Sequence, residues 1–339
     1  MNNLKIAIYG AGSLGTILGA YIAKSNVNVD LINRNVEHVH ALNQDGAKVI
    51  GTVNFVQKVH ALTVDEMKDK YDIIFLLTKQ QDNKNVATFL KSHLTDNGVV
   101  VTLQNGLPEY LLSSILGEEK VMGCTVAWGA TLKAPGVSEL TSDPNNLTFS
   151  LGTFSDKNKD KLEMVKEVLE LMGPTEIDNN FIGTRWSKLL VNSAFSGMST
   201  VLGCTFGEVA KNKKSRLYAQ MLIKECIDVA KAQGIKLEPI QGKNVGKLMD
   251  YHNPLKKKFV FLIIPAAIKK HASIKASMLQ DLEKGKKCEI EAINGVVKSK
   301  GKEYNVLTPI NDKVIEIVKK IENNELTPSF DNLKYFMEK

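Results

Sequence analysis

The sequence has little of what would place it outside the ordinary globular class. It has only four cysteines in 339 residues, Cys124, Cys204, Cys226 and Cys288, far apart and with no CxxC pair. That spacing argues against a disulfide framework and a zinc site, so no metal is expected, and scattered thiols suit a reducing, cytoplasmic setting. There is no long apolar run. The longest, Phe259 to Ile268, has ten residues and contains Pro265. It is too short to span a bilayer and is expected to be a buried helix segment rather than a membrane anchor. No charged n-region followed by an apolar stretch opens the sequence, so no signal peptide is read. Charge of one sign is only mildly in excess, with 44 Lys+Arg against 37 Asp+Glu and a net charge of +7. These cations are spread along the chain without a nucleic-acid motif, so no nucleic-acid partner and no membrane partner are expected.

What is present is a soluble folded chain, 43% hydrophobic and 24% charged, of a length that suits two domains. The first half alternates apolar runs with helical patterns: Leu4–Tyr9, a helix over Leu14–Ala23, Val27–Ile32, the nearly continuous apolar Asp72–Thr78, a helix over Asn83–Leu94, and Val99–Leu103. Such alternation predicts an α/β Rossmann-type domain on a parallel sheet. From residues 121 to 152 the segments become β-like with turns at Pro135-Gly136 and Asp143-Pro144, read as an antiparallel extension of the sheet. After a helix over Lys161–Met172 the chain reads as helix after helix: Arg185–Leu202, Ser215–Gln233, Leu255–Leu282, Ile290–Lys300 and Asn311–Ile321. The predicted organisation is a dinucleotide-binding domain over 1–180 and an all-α substrate domain over 181–339. The residues after Glu325 are expected to be a loosely ordered tail.

Gly10-Ala11-Gly12-Ser13-Leu14-Gly15 lies between the first strand and the first helix, the context a dinucleotide-binding loop requires. Gly10 makes the turn, Gly12 lets the backbone approach a pyrophosphate, Gly15 lets helix and strand pack closely, and the helix N-terminus offers N–H groups to anions. At the end of the second strand, Asn33-Arg34 stands where an acid would favour NAD. Asn33 can hydrogen-bond and Arg34 can pair with a 2′-phosphate, so NADP(H) is the expected cofactor. Lys79 and Asn105, before Gly106, follow further strands, where ligands bind in open α/β sheets. Lys188 and Asn192 are four apart on one helix face beside Leu189, Leu190 and Phe195. A lysine there is either snorkelling or held for chemistry, since a partly desolvated lysine can donate a proton near neutral pH. Glu289 and Glu291, two apart, point in different directions on a helix.

Together GAGSLG, LTK (Lys79), LQNG, WSKLLVN, SMLQD and EIEAING resemble the ketopantoate reductase (2-dehydropantoate 2-reductase) family, in the family's order and at about its spacing. The resemblance implies a Rossmann domain followed by a helical domain, with the active site in the cleft between. It implies NADPH-dependent reduction of 2-dehydropantoate to pantoate, in pantothenate and coenzyme A biosynthesis. Lys188 matches the general acid, and Glu289 the carboxylate that positions substrate and lysine and lies near the cofactor. Asn105, Asn192 and Ser277 match substrate-holding residues, Asn105 also near the cofactor, Lys79 the nicotinamide end, and Arg34 the 2′-phosphate. One turn after Asn192, where some members have a second substrate-facing asparagine, this sequence has Ser196, followed by Gly197. That departure leaves open a related dehydrogenase of another 2-oxo acid. A non-catalytic dinucleotide sensor is the alternative outside enzymes, although it would have no need of Lys188 and Glu289. The basic stretch 239–273 would cover the cleft, form a homodimer contact or simply be solvated.

Overall fold

The computed structural model describes residues 4–240 and 242–336. The chain divides into two compact units, Met1–Phe181 and Ile182–Lys339. Unit 1 runs β1 (Ile6–Tyr9), α1 (Ser13–Lys24), β2 (Val29–Ile32), α2 (Val36–Asp45), β3 (Ala47–Gly51), β4 (Phe55–Gln57), β5 (His60–Leu62), β6 (Tyr71–Leu76), α3 (Asn83–Lys91), β7 (Leu94–Thr102) and α4 (Pro108–Leu116). It continues with β8 (Val121–Val126), β9 (Ala130–Ala134), β10 (Val137–Leu140), β11 (Phe149–Gly152), α5 (Leu162–Leu169) and β12 (Thr175–Ile177).

The main sheet has the order β12-β11-β8-β7-β6-β1-β2-β5. From β5 to β8 every pairing is parallel. β1 and β6 are buried at nearly every position, as expected of strands covered on both faces. One core cluster gathers Ile8, Ile17, Leu18, Leu31 and Phe75 on one side, and another gathers Ala7, Ile32, Ile74 and Leu76 on the other.

The expected antiparallel extension needs correction in part. β8 continues the parallel set, and only β11 reverses against it, with β12 parallel to β11. β9 and β10 leave this sheet and join β3 and β4 in a second one, ordered β4-β3-β10-β9. β10 pairs in parallel with β3, a partner far back in the sequence. The predicted helix to Leu94 stops at Lys91, because Leu94 opens β7.

Unit 2 takes over within α6 (Phe181–Val191). A π-helical turn, Asn192–Ser196, and α7 (Gly197–Leu202) follow without a break. The remaining helices are α8 (Phe206–Lys211), α9 (Lys213–Ala232), α10 (Val245–Met249), α11 (Pro254–Ala267), α12 (Ser277–Glu283), α13 (Ile290–Glu303) and α14 (Pro309–Glu322). The helix expected over Leu255–Leu282 is therefore two helices. The apolar run is not a buried segment either. Only Val260 and Ile264 of α11 are buried, against α8 and α9, while Leu255, Phe259 and Leu262 are 83%, 51% and 61% exposed. Their i, i+4, i+7 spacing puts them on one outward stripe, so apolar composition alone misjudged the packing.

The segment after Glu325 is not loose. Phe330–Phe336 forms 3₁₀ turns with Asn332 and Leu333 buried. Asn332 Nδ2 donates to the carbonyls of Val201 (3.0 Å) and Thr327 (2.8 Å), and Phe336 stacks on Tyr218. Residues 337–339 of that tail, and Gln241 of the basic stretch, lie outside the described residues. All four cysteines are buried free thiols. Among the described residues no helix is long and apolar enough to cross a membrane, and no group of three His, Cys, Asp or Glu could hold a metal ion.

Candidate active site

In unit 1 the glycine loop sits at the carboxyl ends of β1 and β2. Gly10 and Ala11 N–H both donate to the Ile32 carbonyl, at 3.0 and 2.9 Å, which ties the loop to the end of β2. Gly10 has φ +100°, and a Cβ there would lie 2.6 Å from Thr78 N. At Gly15 it would lie 2.6 Å from the Gly10 carbonyl and 3.0 Å from Ile8 Cγ2. Neither position has room for a side chain. Gly12 differs, since a Cβ there would meet only the Gly10 oxygen at 4.0 Å. Open space at that position, together with an α1 N-terminus that has no side-chain cap, fits a bound phosphate. Ala11 and Gly15 are buried, while Gly12, Ser13 and Leu14 are half-buried.

The Asn33 amide is occupied locally. Its Nδ2 donates to the Ala11 carbonyl at 2.8 Å and its Oδ1 accepts from Asn35 N at 2.9 Å. It braces the loop, which leaves the exposed Arg34 as the group available at the end of β2. His38, fully buried, was missed by sequence reading. Its Nδ1 accepts from Gly136 N at 3.0 Å, so the proton is assigned to Nε2, 2.9 Å from the Ala11 carbonyl. Burial lowers its pKa below the ordinary imidazole value, only partly opposed by the Ala11 bond. His38 thus pins the glycine loop to the β9–β10 turn. The segment of α2 drew no expectation from the sequence, and nothing nearby in sequence names Gly136 as the partner.

Lys79, exposed, follows β6, and Asn105, half-buried, follows β7. The strand order β7-β6-β1-β2 sets both beside the glycine loop's strands. Gln104, quoted with the LQNG motif but given no role, is buried and exchanges amide hydrogen bonds with Asn83 at 3.0 and 2.8 Å; its Nε2 also donates to the Thr78 carbonyl at 2.7 Å. This pair fixes the ends of β6 and β7. The Asn105 carbonyl accepts from Gln80 Nε2.

In unit 2 the elements that carry the predicted residues pack about the π-helical turn. Lys188 is half-buried on α6, where Arg185, Trp186, Leu189 and Leu190 are buried. Asn192 opens the turn and is half-buried, and Ser196 closes it and is buried. The turn packs against α9, α12 and α13. Ser277, exposed, is the first residue of α12. Glu289 is the N-cap of α13 and 8% exposed, whereas Glu291, inside the helix, faces out and pairs with Lys319. The two carboxylates differ in surroundings as expected, but Glu289 precedes the helix rather than lying in it.

The elements that carry each set of predicted residues lie within one unit. The first offers a backbone cradle for a phosphate with an arginine at the neighbouring strand end. The second sets a lysine, an amide, hydroxyls and a buried carboxylate on helices around one widened turn, a donor-rich set able to bind an oxo acid and supply a proton.

Residues 6–153 match the family model described as "Ketopantoate reductase PanE/ApbA", and residues 180–322 match "Ketopantoate reductase PanE/ApbA C terminal". A 2-dehydropantoate 2-reductase of Pyrococcus horikoshii is 29% identical over 321 residues, covering 94% of this chain and 98% of its own length. One of Streptococcus pyogenes serotype M18 is 25% identical over 316 residues, covering 92% and 96%. Among solved structures, a D-mandelate dehydrogenase with NADH and anilino(oxo)acetate has a TM-score of 0.80 at 24% identity, covering 95% of this chain and 99% of that one. A PanE/ApbA family ketopantoate reductase of Ralstonia eutropha has a TM-score of 0.80 at 23% identity, with the same coverage. Both structures show the shared fold.

Proposed function

Since the chain belongs to the ketopantoate reductase family, we propose that it reduces the ketone of 2-dehydropantoate to pantoate with NADPH, serving pantothenate and coenzyme A biosynthesis. The observation that carries this reading is the gathering of the Lys188, Asn192, Ser196, Ser277 and Glu289 elements about one turn of unit 2. The cofactor, when bound, supplies the hydride. Gly10 to Gly15 hold its pyrophosphate, Arg34 its 2′-phosphate, and Lys79 and Asn105 line its nicotinamide end.

Hydride arrival at C2 leaves negative charge on the keto oxygen. Lys188 stabilises that charge and passes a proton from Nζ to the oxygen. Glu289 orients the ammonium and the substrate hydroxyl, and Asn105, Asn192, Ser196 and Ser277 hold the carboxylate and hydroxyl groups. With the hydride coming from the cofactor, the side chains mainly orient and polarise. Buried free thiols throughout suit a reducing compartment.

A second reading is reduction of a different 2-oxo acid. It is favoured by Ser196, a shorter hydrogen-bonding group than the asparagine some members carry there. The D-mandelate dehydrogenase that shares the fold holds NADH, so fold does not choose the cofactor and Arg34 carries that choice. The test follows NADPH and NADH oxidation with a panel of 2-oxo acids. Fastest turnover of 2-dehydropantoate with NADPH is expected. Faster turnover of another acid moves the substrate assignment, and failure to reduce any 2-oxo acid ends the proposal.

A further inference from the structure

In a regular α-helix Gly197 N–H would bond to the carbonyl of Ser193, four residues back. Here it reaches the carbonyls of Ala194 and Asn192 instead, which is the widened π turn. The Ser193 carbonyl accepts from elsewhere, from Asn294 Nδ2 at 3.0 Å. We propose that Asn294 is a positioning residue: from α13 it holds the π turn in the register that aims Asn192 and Ser196 at the substrate.

Two further observations support this. The last residue before α7 proper is followed by a glycine, and a Cβ on that Gly197 would lie 3.0 Å from Asn294 Oδ1 and 3.2 Å from its Nδ2. The missing side chain makes the room the amide occupies. Asn294 is also held from behind. The same Nδ2 donates to Asn311 Oδ1 at 2.9 Å, and Asn311 N and Nδ2 donate to Glu225 at 3.0 and 2.7 Å. Glu225 also accepts from Ile310 N at 2.8 Å, so the brace runs from the turn through α13 and α14 to α9. Asn294 and Asn311 are fully buried. Asn294 Oδ1 is buried without a hydrogen-bond partner. A half-satisfied amide in a dry interior is less stable than an apolar side chain of its shape, so stability alone does not account for this asparagine.

The extra residue of the turn matters for aim. Relaxation to a regular helix would rotate everything after it by about 100° relative to Lys188. Ser196 and α7 would then present different side chains to the site. What the turn faces rests on the reductase reading above, but the brace itself does not.

The test is Asn294→Leu, similar in size and without the donor. Expected are a rise of about tenfold in KM for the oxo acid, weaker discrimination between branched and unbranched acids, unchanged NADPH affinity, and faster backbone amide exchange across residues 192–198. Gly197→Ala, which crowds the same amide, is expected to give the same pattern and serves if the first variant does not fold. Asn332→Ala removes another buried amide of unit 2 and is expected to lower Tm with KM unchanged, separating aim from stability. Wild-type KM, selectivity and exchange in a folded Asn294→Leu or Gly197→Ala protein would overturn the proposal. If the wild-type protein reduces no 2-oxo acid, the reductase reading fails, and amide exchange still decides whether Asn294 holds the turn.

Discussion

The two units build their candidate binding surfaces from different materials. In unit 1 the surface is mostly backbone: glycines that leave room, N–H groups at the start of α1, and a loop tied to the Ile32 carbonyl. In unit 2 it is side chains on packed helices, with a carboxylate, amides and hydroxyls around a turn that departs from regular geometry. Backbone recognition suits a group common to many enzymes, since main-chain N–H groups at a helix start bind phosphate whatever the neighbouring side chains. Side-chain recognition suits a substrate that must be told from its near relatives, because unpaired buried groups penalise the wrong one.

That contrast can be broken, most strongly at Lys188. Lys188→Ala is expected to lower kcat by about 10²–10⁴-fold, the range for loss of a general acid, while NADPH binds as before. Weakened cofactor binding with intact kcat would place this lysine with unit 1's task instead. Next is Gly15→Ala. The added methyl would sit 2.6 Å from the Gly10 carbonyl, and an overpacking cost of about 1–3 kcal/mol is expected to lower both Tm and NADPH affinity. Binding and stability equal to wild type would show that the loop yields more easily than its packing implies.

Arg34→Ala sharpens the same side of the comparison. NADPH affinity is expected to fall by about 1.5–3 kcal/mol, the usual worth of a hydrogen bond to a charged group, with NADH affinity nearly unchanged in titrations followed by fluorescence. Equal losses for both cofactors would remove the 2′-phosphate from its role. The smallest expected effect concerns His38. Burial lowers its pKa in the folded state, so the unfolded chain binds the proton more readily. The stability this neutral imidazole contributes is present above its ordinary value of 6.5 and lost as pH falls through the lower folded value. Thermal melts from neutral to acidic pH should show unit 1 weakening, with a flatter profile in His38→Gln; parallel profiles would contradict that origin.

The same contrast explains what could be read beforehand. The glycine loop and the strands β1, β2, β6 and β7 were legible because local spacing and continuous apolar runs encode them. The second sheet was not, because β3 and β10 lack a continuous apolar run and their pairing joins residues about 90 positions apart, as Lys48 with Val137. The positions of Lys188, Asn192 and Ser196 read as ordinary helical spacing. Nothing in that spacing reveals a widened turn, whose support comes from Asn294, 101 positions from Ser193. The exposed stripe of α11 was misjudged because apolar content does not say what lies against it. The buried tail was misjudged because its polar composition hides one well-placed amide, Asn332.

That tail sets a timetable for synthesis. The Val201 carbonyl at the end of α7 waits for a donor 131 positions later in the chain. At about 5–20 residues per second, a nascent chain leaves that helix without its cover for on the order of ten seconds. The main sheet of unit 1 is complete with β12 at Ile177 and has no strand from that distant segment. In a nascent chain the last strand of unit 1, ending at Ile177, is therefore made well before the segment that covers α7.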